Sequence, residues 1–222
     1  MASEVDICNL ALAHLGDEAT VASLSPPEGS AQAEHAARFY PIARDGLLEM
    51  HAWSFASKRS NLALLTSSIA QWQYAYAAPA DMMSAISILD PNSQTDYTTP
   101  FFDSNNPFTN GIINAGMYAP RPYAIETLAS GDLAILTDQE DALLRYQARI
   151  TDTTKYSPLF ITALSWHLAS YLAGPVIKGD AGQAEAKRCS QMMAAFLLQA
   201  TASDSKQREI KVEHIVPWTS GR

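Results

Sequence analysis

Cysteine is almost missing from this chain: Cys8 and Cys189 are its whole complement among 222 residues. Each is flanked by helix-like sequence, so two buried free thiols in a reducing cytoplasm are expected rather than a disulfide framework. Charge is also scarce, at 17% of residues against the usual quarter. Basic side chains are the scarcer sign, 15 Lys and Arg against 23 Asp and Glu, for a formal charge of -8. That balance disfavours a nucleic-acid binder, which must neutralise phosphates. A low charged fraction favours surfaces made for protein contact. The opening MASEVDICNLALAHLGDE has no basic leader and carries acids and a histidine inside its apolar stretch, so no signal peptide is expected. No apolar run reads as the roughly eighteen residues of a membrane span. The chain is long enough to bury a proper core without staples, and it shows no internal repeat or low-complexity tract.

The motifs of common chemistries are missing as well. The five histidines, His14, His35, His51, His167 and His214, stand singly, and none has a second His or Cys at the i, i+4 spacing of a helical zinc site. His167 lies beside an apolar helical stripe, where a hydrogen-bonded packing histidine is favoured over a general base. Ser165, His167 and an aspartate can be combined into a triad only on paper, because no G-x-S-x-G elbow surrounds the serine. There is no glycine-rich phosphate loop and no G-x-G-x-x-G. DSNNPFTNG from Asp103 starts like a calcium loop but lacks its glycine and its twelfth-position glutamate. The aromatics Trp72, Tyr74, Tyr76, Phe101, Phe102, Tyr118 and Tyr123 lack the interleaved Lys or Arg of a base-stacking platform, so core and subunit contacts are the favoured reading. No metal, no cofactor and no enzymatic activity are expected.

What is present is pattern. Ser3 with Asp6 reads as a capping box, and Val5, Ile7, Cys8, Ala11, Leu12 and Leu15 keep helical spacing until Gly16 stops it. After the turn-rich SLSPPEGS, the stretch AQAEHAARFYPIARDGLLEMHAW predicts a second helix that Pro41 kinks. From Trp53 the pattern shortens to strand-like KRSNLALL, QYAYAA and AISILD, and later to PYAIETL, DLAILT and LLRYQARIT. The last places Leu144, Tyr146, Ala148 and Ile150 on one face. Ser157-Pro158 predicts a third helix with a stripe of Phe160, Leu164, Leu168, Tyr171 and Leu172, ended at Gly174-Pro175. A fourth helix from about Ala181 aligns Cys189, Met192, Met193, Phe196, Leu197 and Ala200. Amphipathic helices of this length must bury their stripes, so those at the two ends should pack together. The predicted fold is therefore α+β. A helical bundle comprises residues 1–54 and 155–206. An antiparallel β insertion comprises 55–154 with a long arm at about 90–122, and an extended tail comprises 207–222.

Several segments, in order, resemble the tail tubular protein A family, the head-to-tail adaptors of short-tailed bacteriophages. The opening helix is similar in Ile7-Cys8-Asn9, Ala11-Leu12 and Leu15-Gly16. The most recognisable stretch is Tyr40-Pro41, Arg44-Asp45, Leu47-Leu48, Trp53, Phe55-Ala56, Arg59 and Leu62-Ala63, followed by Tyr74, Tyr76, Pro79 and Asp81. Ser157-Pro158, Phe160, Ala163-Leu164, Leu168-Ala169 and Leu172-Ala173 resemble the family's later helix. The segment from Asp90 to Pro122 departs from any family pattern. The resemblance implies a structural virion protein at the head-tail junction, made in the host cytoplasm. It implies a ring of about twelve copies that binds the portal on one side and the tail nozzle on the other, with DNA passing through the channel without specific binding. It implies no membrane partner. A virion-associated hydrolase and another structural part, such as a tail-tube or head-completion protein, remain the alternatives.

Two segments are candidate contact sites. In the arm, Tyr97, Phe101, Phe102, Phe108, Tyr118 and Tyr123 are too many aromatics for a solvated loop, and contact with a neighbouring subunit or the nozzle is expected. In the tail, Ile210, Val212, His214, Val216 and Trp218 alternate with Lys211, Glu213, Ile215 and Pro217. That pattern suits strand addition to a partner's sheet edge, with Pro217 ending the pairing and Trp218 as an anchor, on the portal or an adjacent subunit.

Overall fold

The computed structural model describes residues 2–18, 20–66, 69–93, 96 and 121–207. The protein is α+β. It divides into two compact units: residues up to Ala56 together with Arg149–Gln207, and Ser57–Ala148.

Among the described residues the first unit is built from four α-helices. Helix α1 (Glu4–His14) begins with a complete capping box, in which the Asp6 amide donates to Ser3 Oγ at 3.1 Å and the Ser3 amide donates to Asp6 Oδ2 at 2.8 Å. Gly16, at φ 75°, supplies the left-handed turn that ends it. Helix α2 (Ala31–Glu49) is capped by Ser30 and runs unbroken through Pro41. Helix α3 (Pro158–Ile177) starts on the Ser157 cap with proline at its first position, where the missing N–H costs no hydrogen bond. It packs against α1, α2 and helix α4 (Gly179–Asp204), and ten of its residues are buried. With partners on several sides, α3 is apolar nearly all round, as a central helix must be.

Three expectations change here. The third helix does not stop at Gly174-Pro175 but continues to Ile177. Gly174 has no Cβ to meet the Pro175 ring, which removes one of the clashes proline brings, and only the last turn of the helix lies beyond it. The stop comes instead at Lys178, with φ 63° and ψ 163°, followed by Gly179 at φ 61°. Helix α4 accordingly begins at Gly179 rather than Ala181. Finally, α3 is long and apolar enough to cross a membrane by length and composition, although half of its apolar window is buried inside the protein. Its polar residues hide the run in the sequence, but Thr162, Ser165 and Ser170 donate their hydroxyls to the helix's own carbonyls.

At the centre of this unit Trp53 is fully buried, its indole N–H donating to the Leu47 carbonyl at 3.0 Å. Its ring meets Phe160 edge-on at 4.9 Å, and Phe55 and Tyr156 close the cluster around Phe160. Cys8 and Cys189 are free and buried. Burial pushes the Cys8 thiol up to about 12, so it behaves as a packing group rather than a nucleophile.

Among the described residues the second unit holds seven strands: β1 (Ser57–Asn61), β2 (Ala63–Leu64), β3 (Tyr74–Ala77), β4 (Met82–Leu89), β5 (Tyr123–Thr127), β6 (Leu133–Thr137) and β7 (Leu143–Ala148). They form two antiparallel sheets, in the orders β1-β7-β4 and β2-β3-β6-β5. Of the face expected on the last strand, Leu144, Tyr146 and Ala148 are buried in β7, and Ile150 is buried just beyond it. Asp81 ties the first sheet together, accepting from Lys58 at 2.6 Å and from the Tyr146 hydroxyl at 2.9 Å. Burial first and that carboxylate second raise the Tyr146 phenol to about 12. A small cluster of Ala75, Ala134 and Leu136, covered by Leu65, Ile69 and Trp72, forms the core on one face of the second sheet.

Candidate functional site

Three places bring together side chains of the kind that catalyse reactions, and the hydrogen bonds at each decide what it can do. His14, at the end of α1, points Nε2 at Ser165 Oγ, 3.0 Å away. A serine has one hydroxyl hydrogen, and that of Ser165 is donated to the Thr162 carbonyl at 2.8 Å. Nε2 must therefore be the donor to Ser165, the reverse of what a general base does. The serine is fully buried, and the His14 ring stacks on Trp166 at 3.7 Å and 6°. Arg188 caps the other end of this lock, with its guanidinium 5.2 Å from the Trp166 ring and a hydrogen bond to the His14 carbonyl at 3.2 Å. Burial first and Arg188 second hold the His14 imidazole below its usual value.

His167 is the second place. Its Nδ1 donates to the Ala43 carbonyl at 3.0 Å, joining α3 to α2, and burial lowers its pKa despite that bond. Gly46 leaves room for the ring, since a Cβ there would lie 3.4 Å from His167 Cε1. Ser165 and His167 do not bond to one another. Each is tied to its own neighbour, as expected of packing residues.

The third place was not legible in the sequence. A surface groove of about 460 Å³ is lined by Ser54, Phe55, Lys155, Ser157, Asp204 and Gln207. At its wall the Asp204 carboxylate accepts from the Ser54 amide at 2.9 Å and the Ser54 hydroxyl at 2.5 Å, and faces His51 Nε2 at 3.4 Å. The three residue types are those of a hydrolytic triad, but the connectivity differs. Serine and histidine both bond to the aspartate, and the serine proton points at the carboxylate rather than at the imidazole. The arrangement staples the last turn of α4 to the elbow that follows α2.

Contact surfaces are the other kind of candidate. From Cys189 to Ser203, α4 contains no charged residue. Only Cys189, Met193 and Ala200 of this stretch are buried, so the outward face of Gln191, Ala194, Ala195, Leu198, Gln199 and Ala202 meets solvent without a single charge. Leu198 is 72% exposed. Ile42 on α2 and Met50 at its C-cap are half exposed, and Tyr171 of α3 stacks on Phe39 of α2 at 6.0 Å.

Of the residues singled out from the sequence, Ile210, Val212, His214, Val216, Pro217 and Trp218 of the tail lie outside the described residues, as do Phe101, Phe102, Phe108 and Tyr118 of the arm. Tyr123 is in β5, partly buried, and its hydroxyl donates to the Ala85 carbonyl of β4 at 3.2 Å. The two ends of the arm approach each other, with Arg121 paired to Asp90 at 3.5 Å. Asp96 pairs with both Arg59 and Arg145. Among the described residues no cluster of three or more His, Cys, Asp or Glu is placed to hold a metal ion.

No family model matches the chain, and no curated protein matches it.

Proposed function

We infer that this chain is a structural virion subunit, a head-to-tail adaptor that joins portal to tail nozzle as a ring of about twelve copies around the genome's exit channel. The observation that carries the reading is the resemblance itself, kept in order from Ile7 to Ala173. The geometry gives most of those residues framework roles. Trp53 and Phe55 pack on Phe160, Arg44 pairs with Asp45, and Asp81 holds Lys58 and Tyr146. A framework of this kind leaves the outer faces to carry the contacts. The charge-free side of α4 and the half-exposed Ile42 and Met50, on and just after α2, support a subunit that gives up surface to neighbours. The net charge of -8 supports the channel role, because an acidic wall does not grip a passing polyanion.

The test is to mix the purified chain with the portal of a short-tailed phage that carries its gene and to examine the mixture by electron microscopy. Rings seated on the portal are expected. A portal that stays bare at micromolar concentrations of both proteins rejects the adaptor role. The tail is tested in the same assay by truncation after Ser205, with circular dichroism to check the fold. Loss of portal binding with the folded signal kept is expected, and unchanged binding removes the tail from the docking surface.

A further inference from the structure

The stretch Tyr40-Pro41-Ile42-Ala43-Arg44-Asp45 points Ile42 outward, while Tyr40 and Arg44, one turn apart, face inward. Arg44 is only 7% exposed, rare for an arginine without a full set of partners. A guanidinium has five N–H donors. The Nε–H of Arg44 donates to Asp45 Oδ1 at 2.8 Å, and its four Nη hydrogens have no hydrogen-bond partner among the described residues. Asp45 has little more to offer, because Arg149 Nε lies 3.1 Å from its second oxygen. Next to this fork, Tyr40 is 2% exposed and its hydroxyl is buried with no partner. The Arg44 guanidinium lies 6.0 Å from the Tyr40 ring. Tyr156, the other phenol within its electrostatic reach, is already used, donating to the Ile150 carbonyl at 2.6 Å.

The Tyr40 hydroxyl is therefore a buried donor without an acceptor, a pattern that buried polar groups otherwise avoid, and the Nη donors of Arg44 stand one turn away with no acceptor from the protein. We propose that Tyr40 and Arg44 form a binding site for a carboxylate, held by the Nη hydrogens of Arg44 and the hydroxyl of Tyr40. The charge balance selects this class of ligand over a phosphate. Arg44 and Arg149 are met by Asp45, by Glu4, which acts on both phenols from the first turn of α1, and at Tyr156 by Asp152. With no excess of positive charge a dianion is disfavoured more than a monoanion, and a planar carboxylate matches the arginine fork. The carboxylate can come from a small molecule or from an acidic side chain of a protein partner.

The experiment follows the Arg44 Nε–Hε signal by nitrogen-15 NMR while sodium acetate replaces sodium chloride at fixed ionic strength. A saturable shift is expected in the signal that Arg44→Lys assigns by its disappearance, and Tyr40→Phe should weaken the response about fivefold, the effect of one ordinary hydrogen bond. Tyr40→Phe should not lower the melting temperature in chloride, because it removes a hydroxyl that has no partner in the folded chain. A capped peptide with one aspartate is the second arm. Saturation at lower carboxylate concentration than acetate assigns the site to a protein partner, and equal saturation assigns it to free carboxylates. The proposal is overturned if acetate gives no saturable shift, or if Tyr40→Phe leaves the response unchanged. It is also overturned if Glu4→Gln moves the signal and acetate does not, since Glu4 would then be filling the fork.

Discussion

Gly182→Ala is the sharpest test of how α3 and α4 pack, because local preference and tertiary contact predict opposite signs. Gly182 lies in the first turns of α4, where alanine is favoured over glycine by about 1 kcal/mol from helix propensity alone. In the folded protein, however, a Cβ at this position would sit 2.9 Å from the Ala173 carbonyl oxygen and 3.6 Å from both the Ala173 carbonyl carbon and Gly174 Cα. All three are backbone atoms of α3, so no side-chain rotation relieves the clash. The helices must separate by about half an ångström to restore ordinary contact, and misfits of this kind in a packed core cost about 1–3 kcal/mol. Set against the propensity gain, the net effect should be a loss of up to about 2 kcal/mol. For a chain of this size that corresponds to a fall in melting temperature of up to roughly 8 °C. Urea unfolding followed by circular dichroism measures it. A variant more stable than the parent by the propensity gain would show that the α3–α4 approach at Ala173 is looser than 2.9 Å, and would refute the argument.

The same hairpin carries a second prediction: Lys178, at φ 63° and ψ 163°, occupies backbone space that is essentially glycine-only, so Lys178→Gly should stabilise by about 1 kcal/mol in the same urea assay. For pH, His14 and His167 both have folded pKa values lowered by burial, so the unfolded chain takes up protons that the folded chain refuses. The stability they contribute is complete above about 6.5 and is lost as the pH falls below it, so the urea midpoint should drop between pH 7 and 5.5, and His14→Gln with His167→Gln should flatten that slope. The lowered carboxyls of Asp81 and Glu185 act in a separate window below their ordinary values. Asp204→Ala removes the acceptor for both Ser54 donors and should cost about 1–2 kcal/mol, read by urea unfolding, with Asn recovering part of it. Leu198→Glu puts a charge on the bare face of α4 and should leave the isolated subunit's melting temperature unchanged while reducing ring formation on the portal, read by electron microscopy.

The parts of the fold that could be read from the sequence are those set by rules within one turn of chain. The Ser3 and Asp6 box, the Gly16 stop and the Ser157-Pro158 start appear where local chemistry puts them. Gly174-Pro175 misled because a glycine before the proline removes the Cβ part of its clash and only one further helical turn has to form. Strand positions were legible from alternation, but strand partners were not. β1 and β2 are separated by Leu62 alone and yet enter different sheets, a choice made by β7 and β3, which lie far along the chain. The Asp204–Ser54 staple is invisible for the same reason, since its two residues are 150 positions apart. On α4 the signal was present but was read for its apolar stripe. That Cys189–Ser203 contains no charge says little until the register shows which side of the helix faces out.

That bare face bears on how an acidic chain could form a ring at all. A ring of twelve copies would carry on the order of a hundred negative charges, and neighbours would repel over roughly 8 Å at physiological salt. Desolvating a charge at a contact adds a further penalty unless an opposite charge meets it. A face made only of small, apolar and amide side chains avoids both costs where subunits touch, while the acids elsewhere keep the free chain soluble. Assembly built this way should strengthen with added salt, because screening removes repulsion between copies without breaking any ion pair at the α4 contact. If portal-bound rings of the parent protein instead fell apart as sodium chloride rose from 50 to 500 mM, ion pairs would be holding the subunits together, and the α4 face would have to be given up as their contact.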